Sequence, residues 1–578
     1  MRRPFQLLLL LFVVLGVFYP TLFAESLSID DNQMLLAYLN QPSLDWQALF
    51  FPTGGLYYYR PLVGLSFFFD AAALGGEFPL IHFENILIHA ANTLLLFLLL
   101  HRLTTGKNDA KKTNLAPFLI AAFFGLHPLT AEPVNWISGR TDLLACFFVL
   151  LSFLLFLRNT GKKITLDLLA ALAFLCGLWS KEVAIGLLPV VAFRCIQEAQ
   201  GSLIKIWRPL ALRLSPFLGA LLLYGYLRTG GQISHDVGVM TALHGGHGAE
   251  AFPLAAKLLS AIKAIGFYSH KVLWPFPLNF AIVEINRPVA LFCGLFSLAV
   301  FAVALLFFRR RLFMLGPVWF FCFLVPAVPI AINRMAWTPL AERYLYLPLI
   351  GLCLLLASLF ARQKNQAIPA CVLAILLLAF GTATAQRNIV WQKNLTLWED
   401  VVHKSPSFAP GHNDYGLALL REGKRTEAEH HFRIAKQLTA ATAKDNDNQD
   451  KPKMNLALME EGLDQQIAAL EDILRKEQTA APRQRTITML LSLYNRALLE
   501  EKGASRLWLA KMIPLYQELF TLEKNPYHLY RIGQLQLALG NREDARRSFE
   551  TVCRTSNDYY TKPACTLAER LAQKSNKE

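Results

Sequence analysis

The chain has 578 residues, 54% of them hydrophobic and 12% aromatic, with a formal net charge of +15 and a mean hydropathy of +0.35. It has room for more than one domain, and its apolar content is too high for a protein that is soluble throughout. Much of the positive excess sits in short loops between apolar runs, where the positive-inside bias explains it; no basic stripe or recognition motif argues for a nucleic-acid partner.

About eleven apolar stretches between Phe5 and Ala385 are long enough to approach or cross a bilayer. Arg2 and Arg3 precede the first, Phe5–Ala24, which reads as an uncleaved helix rather than a signal peptide because it is long and further spans follow. Residues 25–85 form a first loop with aromatic, amphipathic pieces around Trp46 and Phe50, of the kind that lie in the membrane interface. The spans that follow are Ile86–Leu100, Pro117–Leu129, Leu143–Leu157, Leu166–Trp179 and Val183–Phe193. Then come Leu214–Leu227, Val289–Phe308, Leu312–Ile332, Tyr344–Ala361 and Ile368–Ala385. With the N-terminus inside, the clusters at Arg102–Lys112, Arg158–Lys163, Lys205–Arg213, Arg309–Arg311 and Arg362–Lys364 all fall inside. An odd number of spans then puts the tail on the outer face.

From about Trp391 the composition turns charged and ordinary for a soluble helical region, which divides the chain into a membrane domain, 1–390, and a repeat domain, 391–578. In the tail, Tyr415, Gly416 and Leu419 are followed by Ala428, Phe432 and Ala435; Leu529, Ile532 and Gly533 are followed by Ala545, Phe549 and Val552. Both runs match the spacing of 34-residue tetratricopeptide (TPR) repeats, in which small residues let paired helices approach and Phe fills the gap. The expected fold class is therefore all-α, a polytopic helical bundle followed by an α-solenoid. Residues 444–453 are a polar break. Seven of the nine cysteines lie in or beside apolar spans and none has CxxC spacing, so a structural zinc site is not indicated. Cys553 and Cys565 lie in the tail, where a disulfide and two buried free thiols are both open.

The polar residues that interrupt the apolar runs fall on the face opposite the basic loops. Asp30 and Asp31 follow the first span, where paired carboxylates can act as a general base or hold a metal. Arg60 and Asp70 flank an aromatic run, and His82 and Glu84 lead into the second span. Asn85, His89 and Asn92 share one face of that helix, where interhelical hydrogen bonding competes with a role in a wet cavity. The loop LHPLTAEPVNWISGRTD carries His127, Glu132, Trp136, Arg140 and Asp142. Arg140 is a planar donor suited to phosphate, and Glu132 could orient an acceptor hydroxyl. Lys181 and Glu182 sit in a tight hairpin, and Arg334, Glu342 and Arg343 add charge at the outer edge.

The segments YYYRPL, SFFFD, HFENILIHAANTLLLFLL, LHPLTAEPVNWISGRTDLLA, LWSKE, ERYLYLPLIG and QRNIVWQKNLTLWEDVVHKSPSFAPGHNDYGLAL resemble, in this order, the family of transmembrane and TPR-repeat-containing proteins. The resemblance runs from about residue 28 to the tail and is weakest at 230–285 and in the middle repeats. It implies a GT-C glycosyltransferase fold. The implied reaction is transfer of mannose or another hexose, with inversion, from a polyprenyl-phosphate carrier to a hydroxyl acceptor such as protein Ser or Thr. A bacterial member is expected, a multi-pass protein of the inner membrane with its repeats in the periplasm. Asp30 or Asp31 would deprotonate the acceptor. Arg60, His127, Glu132, Arg140, Asp142, Lys181, Glu182 and Arg343 would bind donor phosphate or acceptor. A divalent cation, Mg or Mn, would involve Asp30, Asp31 and Glu132 if one takes part. Expected partners are the lipid-linked sugar, a protein or glycan acceptor, membrane lipids and a protein docked on the repeats. A membrane-anchored scaffold without catalysis is the alternative, and a transporter of a lipid-linked intermediate is a third.

Overall fold

The computed structural model describes residues 3–29, 31, 43–51, 59–104, 115–158, 164–198, 203–229, 254–308, 312–333, 338–363, 365–441, 450–500, 505–556 and 558–575. Asp30, Arg334, residues 52–58, residues 230–253 and most of the 444–453 break lie outside them. Among the described residues the fold is all-helical, with one isolated antiparallel bridge between Ile282 and Leu340. Two compact units divide between Asp414 and Tyr415.

Among the described residues of the first unit, seven helices are long and apolar enough to cross a bilayer: Arg3–Phe23, Phe78–Thr104, Ile137–Arg158, Leu210–Arg228, Arg287–Phe308, Glu342–Phe360 and Ala367–Val390. The other four expected spans are shorter. Ala116–Gly125 is ten residues, about 15 Å of helix, and ends before His127–Pro128. Ile164–Ser180 is seventeen residues. The Val183–Phe193 stretch becomes a 3₁₀ turn, Glu182–Gly186, followed by the helix Leu187–Glu198. The Leu312–Ile332 stretch breaks at Pro326 into Leu315–Leu324 and Ala327–Asn333, because proline cannot donate to the helical ladder and clashes with the preceding turn. Hydropathy registers all these segments alike, whereas proline and packing set where each helix stops. Ala116–Gly125 is almost wholly buried, the setting in which a short helix at membrane depth is tolerated. By contrast, Phe292, Phe296, Leu306 and Phe307 of Arg287–Phe308 are exposed, as lipid-facing side chains would be.

Polar bonds and close backbone approach hold the bundle. His89 Nδ1 lies 2.7 Å from the Tyr346 hydroxyl and its Nε2 3.0 Å from the Gly125 carbonyl. A carbonyl can only accept, so Nε2 carries the proton and Nδ1 accepts. Asn92 donates to Tyr346 and to the Leu143 carbonyl, and Asn85 to the Trp136 carbonyl. This polar face therefore joins helices, the structural alternative weighed for it. Elsewhere Gly266 and Gly294 bring two helices into backbone contact. A Cβ on either would stand 1.8 Å from the Ala290 oxygen or 2.1 Å from the Ile262 oxygen, so no larger residue fits without parting them.

Residues 391–414 belong to the first unit rather than to the repeats. Trp391 and Trp398 are fully buried, and the Phe280 ring meets both edge-on. Trp398 Nε1 donates to Ser28 Oγ at 2.8 Å, and Asn394 Nδ2 donates to Glu25 at 2.9 Å.

The second unit stacks antiparallel helices. Gly533 lies against the Phe549 ring, where a Cβ would approach to 2.6 Å, and Gly416 meets Phe432 in the same way. This is the small-residue-to-Phe contact that the repeat spacing predicts. Phe549→Ala should cost about 3–5 kcal/mol locally. Hydrogen exchange would register it as lost protection across 526–555 with the first unit unchanged. Cys553 and Cys565 form a disulfide between the last two helices, Cα atoms 5.3 Å apart, which decides between the two states left open by the sequence.

Candidate functional site

Seven charged side chains from six separated segments of the first unit gather where short turns join its helices. Arg343 opens the Glu342–Leu345 turn at the head of a span; its Nη1 donates to Glu132 Oε1 at 2.6 Å and its backbone N–H to Oε2 at 3.2 Å. Its guanidinium carbon lies 5.0 Å from the centres of both the Trp136 and the Tyr344 rings. Lys181, in the hairpin after Ile164–Ser180, donates to Asp142 Oδ2 at 2.6 Å and stands 5.6 Å from the Tyr344 ring. Two cations, each matched to a carboxylate, thus face one aromatic ring.

Beside Lys181, Glu182 accepts from Arg60 at 2.9 Å and from Arg228 at 3.1 Å. Arg228 also donates to the Tyr224 hydroxyl at 2.7 Å. Among the described residues this group comprises four cations and three carboxylates, with Lys181, Glu182, Arg60, Arg228 and Arg343 only part-buried.

Burial and the neighbouring charges pull the titrations in opposite directions. Burial lowers the Lys181 ammonium below its usual range, and Asp142 offsets only part of this. Burial alone would raise the Glu182 carboxyl, but Arg60 and Arg228 hold it below its usual range. Burial raises Glu132, opposed by Arg343.

Arg140 is placed differently. Its side chain is fully buried and bound on every side: Nη1 to Asp70 at 2.5 Å and to Glu84 at 3.2 Å, Nε to Asn85 at 2.9 Å, Nη2 to the Ile81 carbonyl at 3.1 Å. It also faces the Phe67 ring at 5.1 Å. His127 is buried too; its Nδ1 accepts from the Leu129 N–H at 3.2 Å, and its ring lies edge-on to Phe123 and Phe380. Asp31 is buried and accepts from the Leu27 N–H at 3.1 Å, while its expected partner Asp30 lies outside the described residues. Among the described residues no three His, Cys, Asp or Glu side chains converge as a metal site.

Of the expected site residues, the structure thus gathers Arg60, Glu132, Asp142, Lys181, Glu182 and Arg343, and leaves Arg140 and His127 in the packed interior. Arg228 and Tyr344 were not singled out from the sequence. Arg228 looks there like an ordinary helix-end cation, and only its pairing with Glu182, 46 residues away, marks it.

No protein-family model matches the chain, and no solved structure matches it. It is similar to protein O-mannosyl-transferases. Human protein O-mannosyl-transferase TMTC4 is 28% identical over 435 residues, covering 65% of this chain and 57% of that protein. Human protein O-mannosyl-transferase TMTC1 is 24% identical over 430 residues, covering 66% and 48%. The Caenorhabditis elegans protein O-mannosyl-transferase F38B6.6 is 25% identical over 395 residues, covering 65% and 53%. The chain spans about half the length of the curated relatives it matches.

Proposed function

We propose that the first unit is a membrane glycosyltransferase that moves mannose or another hexose from a polyprenyl-phosphate carrier to a hydroxyl, with a protein Ser or Thr as acceptor. The observation that carries this reading is the pair of cation–carboxylate contacts, Lys181–Asp142 and Arg343–Glu132, whose cations both face the Tyr344 ring. As the glycosidic bond breaks, negative charge grows on the carrier phosphate. Prearranged cations in a partly dehydrated setting stabilise that charge more than the ground state. Lys181 and Arg343 occupy this role, with Arg60 and Arg228 paired to Glu182 beside Lys181. Arginine suits a phosphate because its planar fork donates two parallel bonds. Tyr344 and Trp136 hold the Lys181 and Arg343 cations through their rings. Asp31, with Asp30, is assigned deprotonation of the acceptor, so that attack opposite the departing phosphate inverts the anomeric centre.

Glu132 is committed to Arg343, so a divalent cation would be held by the Asp30–Asp31 pair. Arg140 and His127 take no direct part and hold the bundle together. The similarity to protein O-mannosyl-transferases supports the reaction class. The disulfide between Cys553 and Cys565 fits an oxidising compartment. It supports a tail on the extracytoplasmic side, in the periplasm of a bacterium, where the repeats would dock the acceptor or a partner. The basic loops then face the cytoplasm.

The test is transfer of labelled sugar from a panel of polyprenyl-phosphate sugars to hydroxyl-bearing polypeptides by the purified full chain. One donor should be consumed, and Lys181→Gln should slow its turnover about 100-fold. No consumption of any donor, with the repeats still capturing a specific protein, would replace this reading by that of a scaffold.

A further inference from the structure

The segment between Leu273 and Arg287 touches Glu342, the neighbour of Arg343, and also the end of the Asn394–Lys404 helix. Asn279 stands at the middle of it. Its backbone N–H donates to Glu342 Oε1 at 2.8 Å, and its side-chain Nδ2 donates to Ser405 Oγ at 2.9 Å and to the Ala281 carbonyl at 3.0 Å. Its Oδ1 accepts from the Ala281 N–H at 3.2 Å, and Ser405 Oγ donates to the Ala281 carbonyl at 2.6 Å. Glu342 is held from the other side by Lys271 at 2.9 Å. The Ile282–Leu340 bridge pins the same strip two residues before Glu342. Lys404 Nζ donates to the Leu278 carbonyl at 2.7 Å and also pairs with Asp400, which Arg387 bonds at 2.5 Å. Asn279, Ser405, Glu342 and Lys271 are all buried.

We infer that Asn279 is a positioning residue for Arg343, and that through Ser405 it ties the aim of that guanidinium to the end of the Asn394–Lys404 helix. Three features carry this. First, Glu342 and Arg343 share a single 3₁₀ turn, so fixing one carboxylate fixes where the adjacent guanidinium starts. Second, Asn279 uses its main chain on the Glu342 side and its side chain on the Ser405 side. A residue lacking the amide would keep the first bond and lose the second. Third, Phe280 packs edge-on against Trp136, Trp391 and Trp398, so the ring beside Arg343 and the two tryptophans of the exit segment share one neighbour. Loop segments that hold charged groups within about 0.5 Å of a working geometry are sensitive to such loss.

The inference rests on the proposed phosphate role of Arg343, and the test separates the two. Hydrogen exchange over residues 338–346 is measured in the full chain for wild type, Asn279→Ala, Ser405→Ala and Asn279→Gln, independently of activity. Faster exchange of that turn in the two alanine variants, with the repeats and the helix Phe78–Thr104 unchanged, is expected; unchanged exchange overturns the inference whatever the enzyme does. On turnover, Asn279→Ala should lower kcat about 10- to 100-fold with donor KM nearly unchanged. The double variant Asn279→Ala/Arg343→Lys should be no slower than Arg343→Lys alone. Additive losses would mean that Asn279 acts elsewhere, and overturn the inference as well. Absence of transfer by wild type would instead count against the transferase reading and leave the exchange result standing.

Discussion

Arg343→Gln should lower sugar transfer about 100- to 1,000-fold, and it should do so in a folded protein only when Glu132 is changed to Gln at the same time. The first part follows from the role given to the guanidinium, since removing one prearranged donor to a developing oxyanion costs about 2.7–4 kcal/mol of barrier. The second follows from burial. Glu132 is 2% exposed and its partner is Arg343, at 2.6 Å. Removing the cation alone strands a buried carboxylate, at a cost of about 3–5 kcal/mol. The single variant would therefore mix a folding defect with a chemical one. Glu132→Gln/Arg343→Gln replaces the ion pair by two neutral amides of similar size. Thermal unfolding in detergent should place the double variant near wild type, with turnover still reduced 100-fold or more. Wild-type turnover in the double variant would remove Arg343 from the chemistry.

The second large effect concerns Arg140. Arg140→Met should leave the protein poorly folded, with a loss of about 3–5 kcal/mol, because Asp70 at 2.5 Å is fully buried and would lose its cation. Adding Asp70→Leu should restore most of the stability, since a buried ion pair replaced by apolar groups is often neutral. The pair should also regain donor turnover, because the Lys181 and Arg343 cations stay in place. If Arg140 instead grips the carrier phosphate, Arg140→Met/Asp70→Leu would fold and remain inactive. Yield, unfolding temperature and turnover of the three proteins decide between these outcomes.

These two arginines also show how far the sequence could be read. Both stand out in it as isolated cations at the outer ends of apolar runs, and both suggest phosphate. What separates them is which carboxylate each one meets: Asp70 lies 70 positions before Arg140, and Glu132 lies 211 before Arg343. Such pairings arise from helix packing and leave no local pattern. Composition and period marked the apolar helices and the Gly416–Phe432 and Gly533–Phe549 contacts well, because each depends on near neighbours along the chain. Span lengths were less legible, since Pro128 and Pro326 end helices inside stretches that hydropathy reads as continuous. Asn279 carried no signal at all: its significance lies in a backbone N–H and one amide that reach two distant segments. Trp391 and Trp398 look from the sequence like the start of the soluble tail. Phe280, more than a hundred residues earlier, draws them into the first unit.

The most direct test of the account is turnover of a polyprenyl-phosphate sugar by the full chain beside its Asp30→Asn/Asp31→Asn variant, with donor binding measured on both. The variant should fold and bind donor as wild type does, with transfer to the acceptor hydroxyl lost. Transfer at the wild-type rate by the folded variant would contradict it, because no base would then be drawn from the segment that follows the first span.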